Sequence, residues 1–391
     1  MPSSSVATSI AAILLSFAIK VSCQSAVSQE NHIAPPDPTP STAYTNILTP
    51  FDQTREDMRN WSQIEVDAYT RASTEANAAC QRIEKTPFDG EELFALARLC
   101  ALGQNWPGAY SAASRYTHAT QAPHRIDAYQ ILCQADLNTN NVPEIPDHLR
   151  QLASDAPFTP EVNQLLVQMI DVTQFTSPQA AVSIALLLAP HVLHTLSTPD
   201  QGLSASLLES EAWKILILLH RNQRAADEQS FKAQLQPILA TAAAQAPSPR
   251  PKDWYALLGQ RVPPALRFIL PHNPTPTKAL LLVSAAPLQE NSSLYRSLQT
   301  LQTQHTMASH ISLVIIGTPA PANLRLRYTT ISESNDPVAR NLSSPQGPVF
   351  IEIGTSNEIL SITQGDPAWL DSTPVMNALL TPSAPQPKTG N

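Results

Sequence analysis

From Phe51 to about Ala246 apolar residues recur at three- and four-residue steps, the spacing that lines one face of a helix. Trp61, Ile64, Ala68, Ala72, Ala76, Ala79 and Ile83 form the first stripe. Leu93, Leu96, Ala97 and Cys100 form the next over Glu91 to Leu102; Gly103-Gln104-Asn105 breaks it, and Ala109, Ala113 and Tyr116 continue it. Ile126, Tyr129 and Cys133 repeat the Leu93, Leu96 and Cys100 positions 33 residues later, with Asn138-Thr139-Asn140-Asn141 as the turn. Pro143 and Pro146 then interrupt the second half of that hairpin, since proline removes a donor and crowds the preceding turn. Further helices are predicted at 160–172, 178–196, 203–221 and 225–244. Thr159-Pro160 and Ser177-Pro178 mark two starts, pairing a capping oxygen with a preset φ.

After Ala246-Pro247-Ser248-Pro249-Arg250-Pro251 the pattern changes period. A short helix at Trp254 to Leu258 and the apolar Leu266 to Leu270 are expected to seat a second domain against the first. Lys278 to Val283 and Ile311 to Ile316 are continuous apolar runs, suited to parallel strands buried on both faces. A helix from Ser293 to His305 links them in a right-handed βαβ unit. Leu324 to Ile331 adds a strand, Val349–Ile353 and Ile359–Thr363 a hairpin, and Trp369 to Leu380 a closing helix.

With 391 residues, two folded domains are the expectation. The apolar run Val6 to Ile19 is too short to span a bilayer and predicts a secretory signal, hence an extracytoplasmic address, periplasmic or secreted. Val21-Ser22-Cys23 resembles the end of a bacterial lipobox, with Lys20 where Leu is expected, so Cys23 is a candidate lipidation site and membrane tether. The Pro-rich Ala34 to Ser41 favours extended conformations and suggests a spacer. The predicted organisation is a signal at 1–23, a Pro-rich linker at 24–50, a helical repeat domain at 51–246, a linker and seam at 247–275, an α/β domain at 276–381 and a disordered tail at 382–391. A net charge of −8 without basic clusters argues against nucleic acid as a partner. Only 10 glycines and no Gly-rich phosphate loop, nucleophile elbow or dinucleotide turn argue against the common linear catalytic motifs. No cofactor is expected.

The Leu93–Tyr116 hairpin, with alanines where two helices meet, resembles a tetratricopeptide repeat. That resemblance implies an all-α solenoid whose concave face receives a protein or peptide, with Arg98, Tyr110 and Tyr129 as inner-face candidates. Gly347-Pro348 followed by the Val349–Ile353 strand, a polar turn and the Ile359–Ile362 strand resembles the closing hairpin of a thioredoxin-like domain. The likeness implies a cis-proline at Pro348 and a dithiol within Pro287-Leu288-Gln289-Glu290-Asn291, where no cysteine stands. Without a thiolate that domain cannot exchange disulfides.

The four cysteines are Cys23, Cys80, Cys100 and Cys133. Equivalent repeat positions suggest a Cys100–Cys133 disulfide; Cys80–Cys100 is the alternative, and buried unreactive thiols are the plain expectation. His191 and His194 lie three apart on a helix, but no third ligand completes a metal site, so none is expected. Asn60, Asn291 and Asn341 open glycosylation tripeptides that recur by chance. The function expected is that of an exported, non-enzymatic interaction or scaffold protein. Two alternatives stand beside it: an envelope redox accessory using a cysteine of the helical domain, and a hydrolase with a site around Trp254 to Leu270.

Overall fold

The computed structural model describes residues 38–54, 62–198, 202–245, 253–263, 279–284, 288–290, 292–316, 323–331 and 347–380, with Leu266, Leu342 and Ser344. Contacts divide the chain into two compact units, 1–155 and 156–391. The boundary expected at 246 therefore moves: the later helices belong to the unit that carries the sheet.

The first unit holds α1 (Pro40–Thr54), α2 (Gln63–Ile83), α3 (Gly90–Leu102), α4 (Trp106–Thr117), α5 (Arg125–Asn138) and α6 (Ile145–Asp155), with a 3₁₀ turn at Val142–Glu144. α3 packs on α4, α4 on α5 and α5 on α6, while α1 rests on α2 and α3. α1 corrects the reading of 24–50 as a linker throughout. Its prolines hide a helical stripe in which Ala43, Leu48 and Phe51 are buried. Pro40 stands at the start, where its missing N–H costs nothing. Ser41 then ties the helix down through its backbone N–H and hydroxyl, donating to Glu92 at 2.9 and 2.5 Å.

α2 begins with a capping box in which Glu65 N–H donates to Ser62 Oγ at 3.3 Å and Ser62 N–H to Glu65 Oε2 at 2.6 Å. Of its predicted stripe, Ala72, Ala76, Ala79 and Ile83 are buried, whereas Ile64 is exposed. Trp61 lies outside the described residues. Small residues let α2 and α3 approach closely: a Cβ on Gly103 would lie 2.5 Å from Asn77 Cα, inside backbone that cannot yield. Gly103→Ala should therefore force the helices apart and cost about 1–3 kcal/mol, read as a loss of the first unit's unfolding free energy.

Three helix ends share one stop. Asn105 N–H donates to Cys100 O at 2.9 Å, Asn141 to Asp136 O at 2.8 Å, and Arg224 to Leu219 O at 3.0 Å, each a bond between residues five apart in sequence. The residue before each, Gln104, Asn140 or Gln223, takes a positive φ of 56°, 62° or 57°. This is the left-handed helix stop in which the last carbonyls find donors without glycine.

The second unit begins with α7 (Pro160–Thr173), α8 (Pro178–Ser197), α9 (Ala205–Arg221) and α10 (Ala225–Gln245). α8 is long and apolar enough to cross a membrane by length and composition, and half of it is buried in the unit. It packs against α7, α9 and α10. A 3₁₀ turn at Tyr255–Leu257 precedes β1 (Ala279–Ser284), α11 (Ser293–Thr303), α12 (His305–Ala308), β2 (Ile311–Ile316), β3 (Arg327–Ile331), β4 (Val349–Ile353) and β5 (Ile359–Gln364). A 3₁₀ turn at Pro367–Asp371 leads into α13 (Thr373–Leu380).

The five strands form one sheet in the order β3-β2-β1-β4-β5. β1 runs parallel to β2, as β2 does to β3, and antiparallel to β4 with Leu280 opposite Glu352 and Leu282 opposite Phe350. Successive β1 side chains point to opposite faces, and both sets are apolar because both faces are covered. Leu280, Leu282 and Phe350 pack with Leu298 of α11 and Met376 of α13. Leu281, Val283 and Ile351 pack with Val262, Leu266 and Trp254. The described residues of the segment read as a seam between domains, Trp254, Val262 and Leu266 among them, are thus part of this sheet's own cover. Gly259 N–H donates to Ile359 O at 2.9 Å and Val262 N–H to Asn357 O at 2.8 Å, so the same segment lies along the β5 edge.

Candidate functional site

β1 finishes and β4 begins at one end of the sheet. Val283 and Val349 pair there, which places buried Ser284 and Pro348 side by side at the end of the register. Among the described residues no peptide bond is cis, so the cis-proline expected at Pro348 is corrected to a trans bond. Its carbonyl instead accepts Gly365 N–H at 2.9 Å, closing the end of the β4–β5 hairpin. Ser292 caps α11, its Oγ accepting Tyr295 N–H at 3.2 Å and donating to Gln289 O at 2.7 Å. A hydroxyl spent on a helix start is a structural group. The described side chains here, Leu288, Gln289, Glu290 and Ser292, contain no sulfur.

The sulfur lies elsewhere. Cys80 of α2 and Cys100 of α3 form a disulfide with Cα atoms 5.1 Å apart, which corrects the Cys100–Cys133 pairing in favour of its alternative. The reason is the close α2–α3 approach at Ala76, Ala97 and Gly103, which brings two backbones within bridging range. Asn105 Nδ2 donates to Cys80 Sγ at 3.2 Å and to Glu84 Oε2 at 2.9 Å, holding the turn beside the bridge. Cys133 is a free, fully buried thiol. Burial, then the Asp136 charge, pushes its pKa upward, away from the thiolate. Cys23 lies outside the described residues.

Of the three inner-face candidates, Tyr129 is corrected outright: its ring is buried, its hydroxyl donates to Asp155 Oδ2 at 3.4 Å, and burial lifts its pKa to about 12. Arg98 is occupied within its own unit, lying 4.2 Å over the Tyr44 ring and donating to its hydroxyl at 2.9 Å. Tyr110 is half-buried with its ring 5.8 Å from that of His148. The structure does not bring these three together as one surface. His148 Nε2 meets buried Asp136 Oδ2 at 3.1 Å, and Asn141 Nδ2 donates to the other carboxylate oxygen at 3.0 Å. The first unit does contain an open groove of about 520 Å³ between the start of α3 and the end of α4, lined by Asp89, Leu93, Ser114, Arg115 and His118.

In the second unit His191 stacks on Phe158 with centroids 4.2 Å apart, using the ring for packing. Near the seam Tyr255 donates to Glu228 Oε1 at 2.5 Å, and His220 Nδ1 meets the same oxygen at 3.0 Å. Burial and the Glu228 carboxylate drive the Tyr255 pKa up, so this phenol keeps its proton. The buried charge that periodicity did not signal is Arg221, at the end of α9. It faces Glu352 of β4 at 3.5 Å, donates to Gln174 O at 2.7 Å and lies 4.6 Å over the Phe175 ring. Burial pulls the guanidinium's pKa down and Glu352 opposes the shift.

Comparison with known proteins gives no matching family model, no matching curated protein and no matching solved structure.

Proposed function

We propose that this chain is an exported, non-enzymatic interaction protein: a tetratricopeptide-like helical region that receives a peptide or partner domain, joined to a thioredoxin-like module without redox chemistry. The observation that carries the proposal is where the thiols are. Exchange requires an accessible thiolate. The sheet end has hydroxyl and amide groups instead, two cysteines are bridged to each other, and Cys133 is sealed in the core with its pKa raised. The strand order, with β1 parallel to β2 and antiparallel to β4, supports the thioredoxin-like part. The shared helix stops after α3 and α5 support the repeat part. The same cysteine facts weigh against an envelope redox role.

For the partner, the α3–α4 groove is preferred over Arg98 and Tyr129, whose side chains are already engaged. Arg115 and His118 are exposed there, Arg115 holding its place by donating to Phe88 O at 2.9 Å. The test is quantitative capture of the partner from the native compartment by wild type and by an Arg115→Glu/His118→Glu variant of unchanged melting temperature. Partner affinity is expected to fall at least about tenfold, roughly 1.4 kcal/mol. Equal affinity would remove the groove from the proposal.

A further inference from the structure

Glu211 of α9 and Asn163 of α7 are both buried, at 4% and 2% exposure, and Asn163 Nδ2 donates to Glu211 Oε1 at 2.8 Å. The other oxygen of each, Glu211 Oε2 and Asn163 Oδ1, is buried and without a hydrogen-bond partner among the described residues. Two bare acceptors buried between helices are costly while the carboxyl is ionised. They become complementary once it is protonated, because an acid O–H donates to an amide carbonyl while the amide N–H donates back.

Among the described residues, the cations on the packed elements do not offer a substitute. Lys214, three residues along α9, is held by both oxygens of Asp171 at 2.7 and 2.9 Å. α8 packs against α7 and α9 and carries no Asp, Glu, Lys or Arg; its His191 stacks on Phe158 and its His194 is exposed. On α10 Asp227 pairs with Arg224 and Glu228 with His220, while Lys232 lies over Tyr255. Glu209, two residues before Glu211, is a second buried carboxyl and adds no positive charge.

We infer that Glu211 and Asn163 form a proton-operated clasp between α7 and α9, closed as a two-bond acid–amide pair when Glu211 is protonated and reduced to one bond when it ionises. Burial raises the Glu211 pKa to about 7, with Asn163 and Lys214 pulling it back less strongly. The folded unit therefore holds a proton that the unfolded chain, near the ordinary 4.5, gives up. The stabilisation is complete below the unfolded value and is lost as pH rises through the folded one, so the second unit loosens on approach to neutral pH.

The experiment is denaturant unfolding of the full chain between about pH 4.5 and 8, for wild type and for Glu211→Gln, whose amide makes the same two bonds without titrating. The unfolding constant of wild type relative to the variant should rise by up to about tenfold per pH unit between 4.5 and 7 and level off above. Parallel pH profiles would overturn the inference. If the variant fails to fold, the carbon-13 shift of the Glu211 carboxyl in wild type decides: a midpoint near 7 supports the clasp, and one near 4.5 overturns it.

Discussion

Arg221→Met is expected to cost the second unit about 3–5 kcal/mol, enough to unfold much of an ordinary domain's margin. The substitution leaves Glu352 in place at 3% exposure on β4, between Leu280 and Ser361, without its arginine counter-charge. It also removes the donor to Gln174 O and the cation over Phe175. Replacing both partners behaves differently, because two apolar residues of similar volume leave no charge in the interior. Arg221→Met/Glu352→Leu should recover most of the loss. Denaturant unfolding of the two singles and the double closes the cycle, and a double mutant as unstable as Arg221→Met would show that the ion pair is not the source.

Losing the Cys80–Cys100 bridge is the second large effect. The bridge closes a loop across a sequence separation of 20, for which chain entropy gives about 3 kcal/mol at 25 °C. Both sulfurs are fully buried between α2 and α3, so Cys80→Ala/Cys100→Ala adds a small packing deficit to the entropic loss. In a unit of this size the melting temperature should fall by about 6–12 °C. The second unit should keep its own transition, since the bridge lies wholly within 1–155. An unchanged first transition in the double alanine variant would contradict the bridge's structural role.

The elements most legible from the chain were those with one unambiguous period. Ala72, Ala76, Ala79 and Ile83 recur at helical spacing and line a helix, and the apolar run within Lys278 to Val283, suited to a strand buried on both sides, forms one. α1 is hidden in the sequence because Pro40 belongs to the Pro-rich Ala34 to Ser41 run, which favours extended chain, although Pro40 itself stands where a helix tolerates it. The disulfide had two candidate pairings, and residue spacing cannot measure how closely two helices approach. That distance is set by Gly103 and Ala76, whose small size matters only once α2 and α3 are packed. Tyr129 was legible as a repeat position but not as a core residue, since an aromatic on a helix face suits either. Arg221–Glu352 and Asn163–Glu211 left no trace, because each joins groups far apart in sequence whose burial appears only with the tertiary fold.

The proposal depends most on the chain having no working thiol in its folded units, and site-resolved alkylation of the native full chain, mapped by mass spectrometry, addresses that directly. Cys80 and Cys100 should stay unmodified in the absence of reductant, and Cys133 should react only when denaturant opens α5. Rapid modification of any of the three before unfolding would contradict a redox-inactive scaffold.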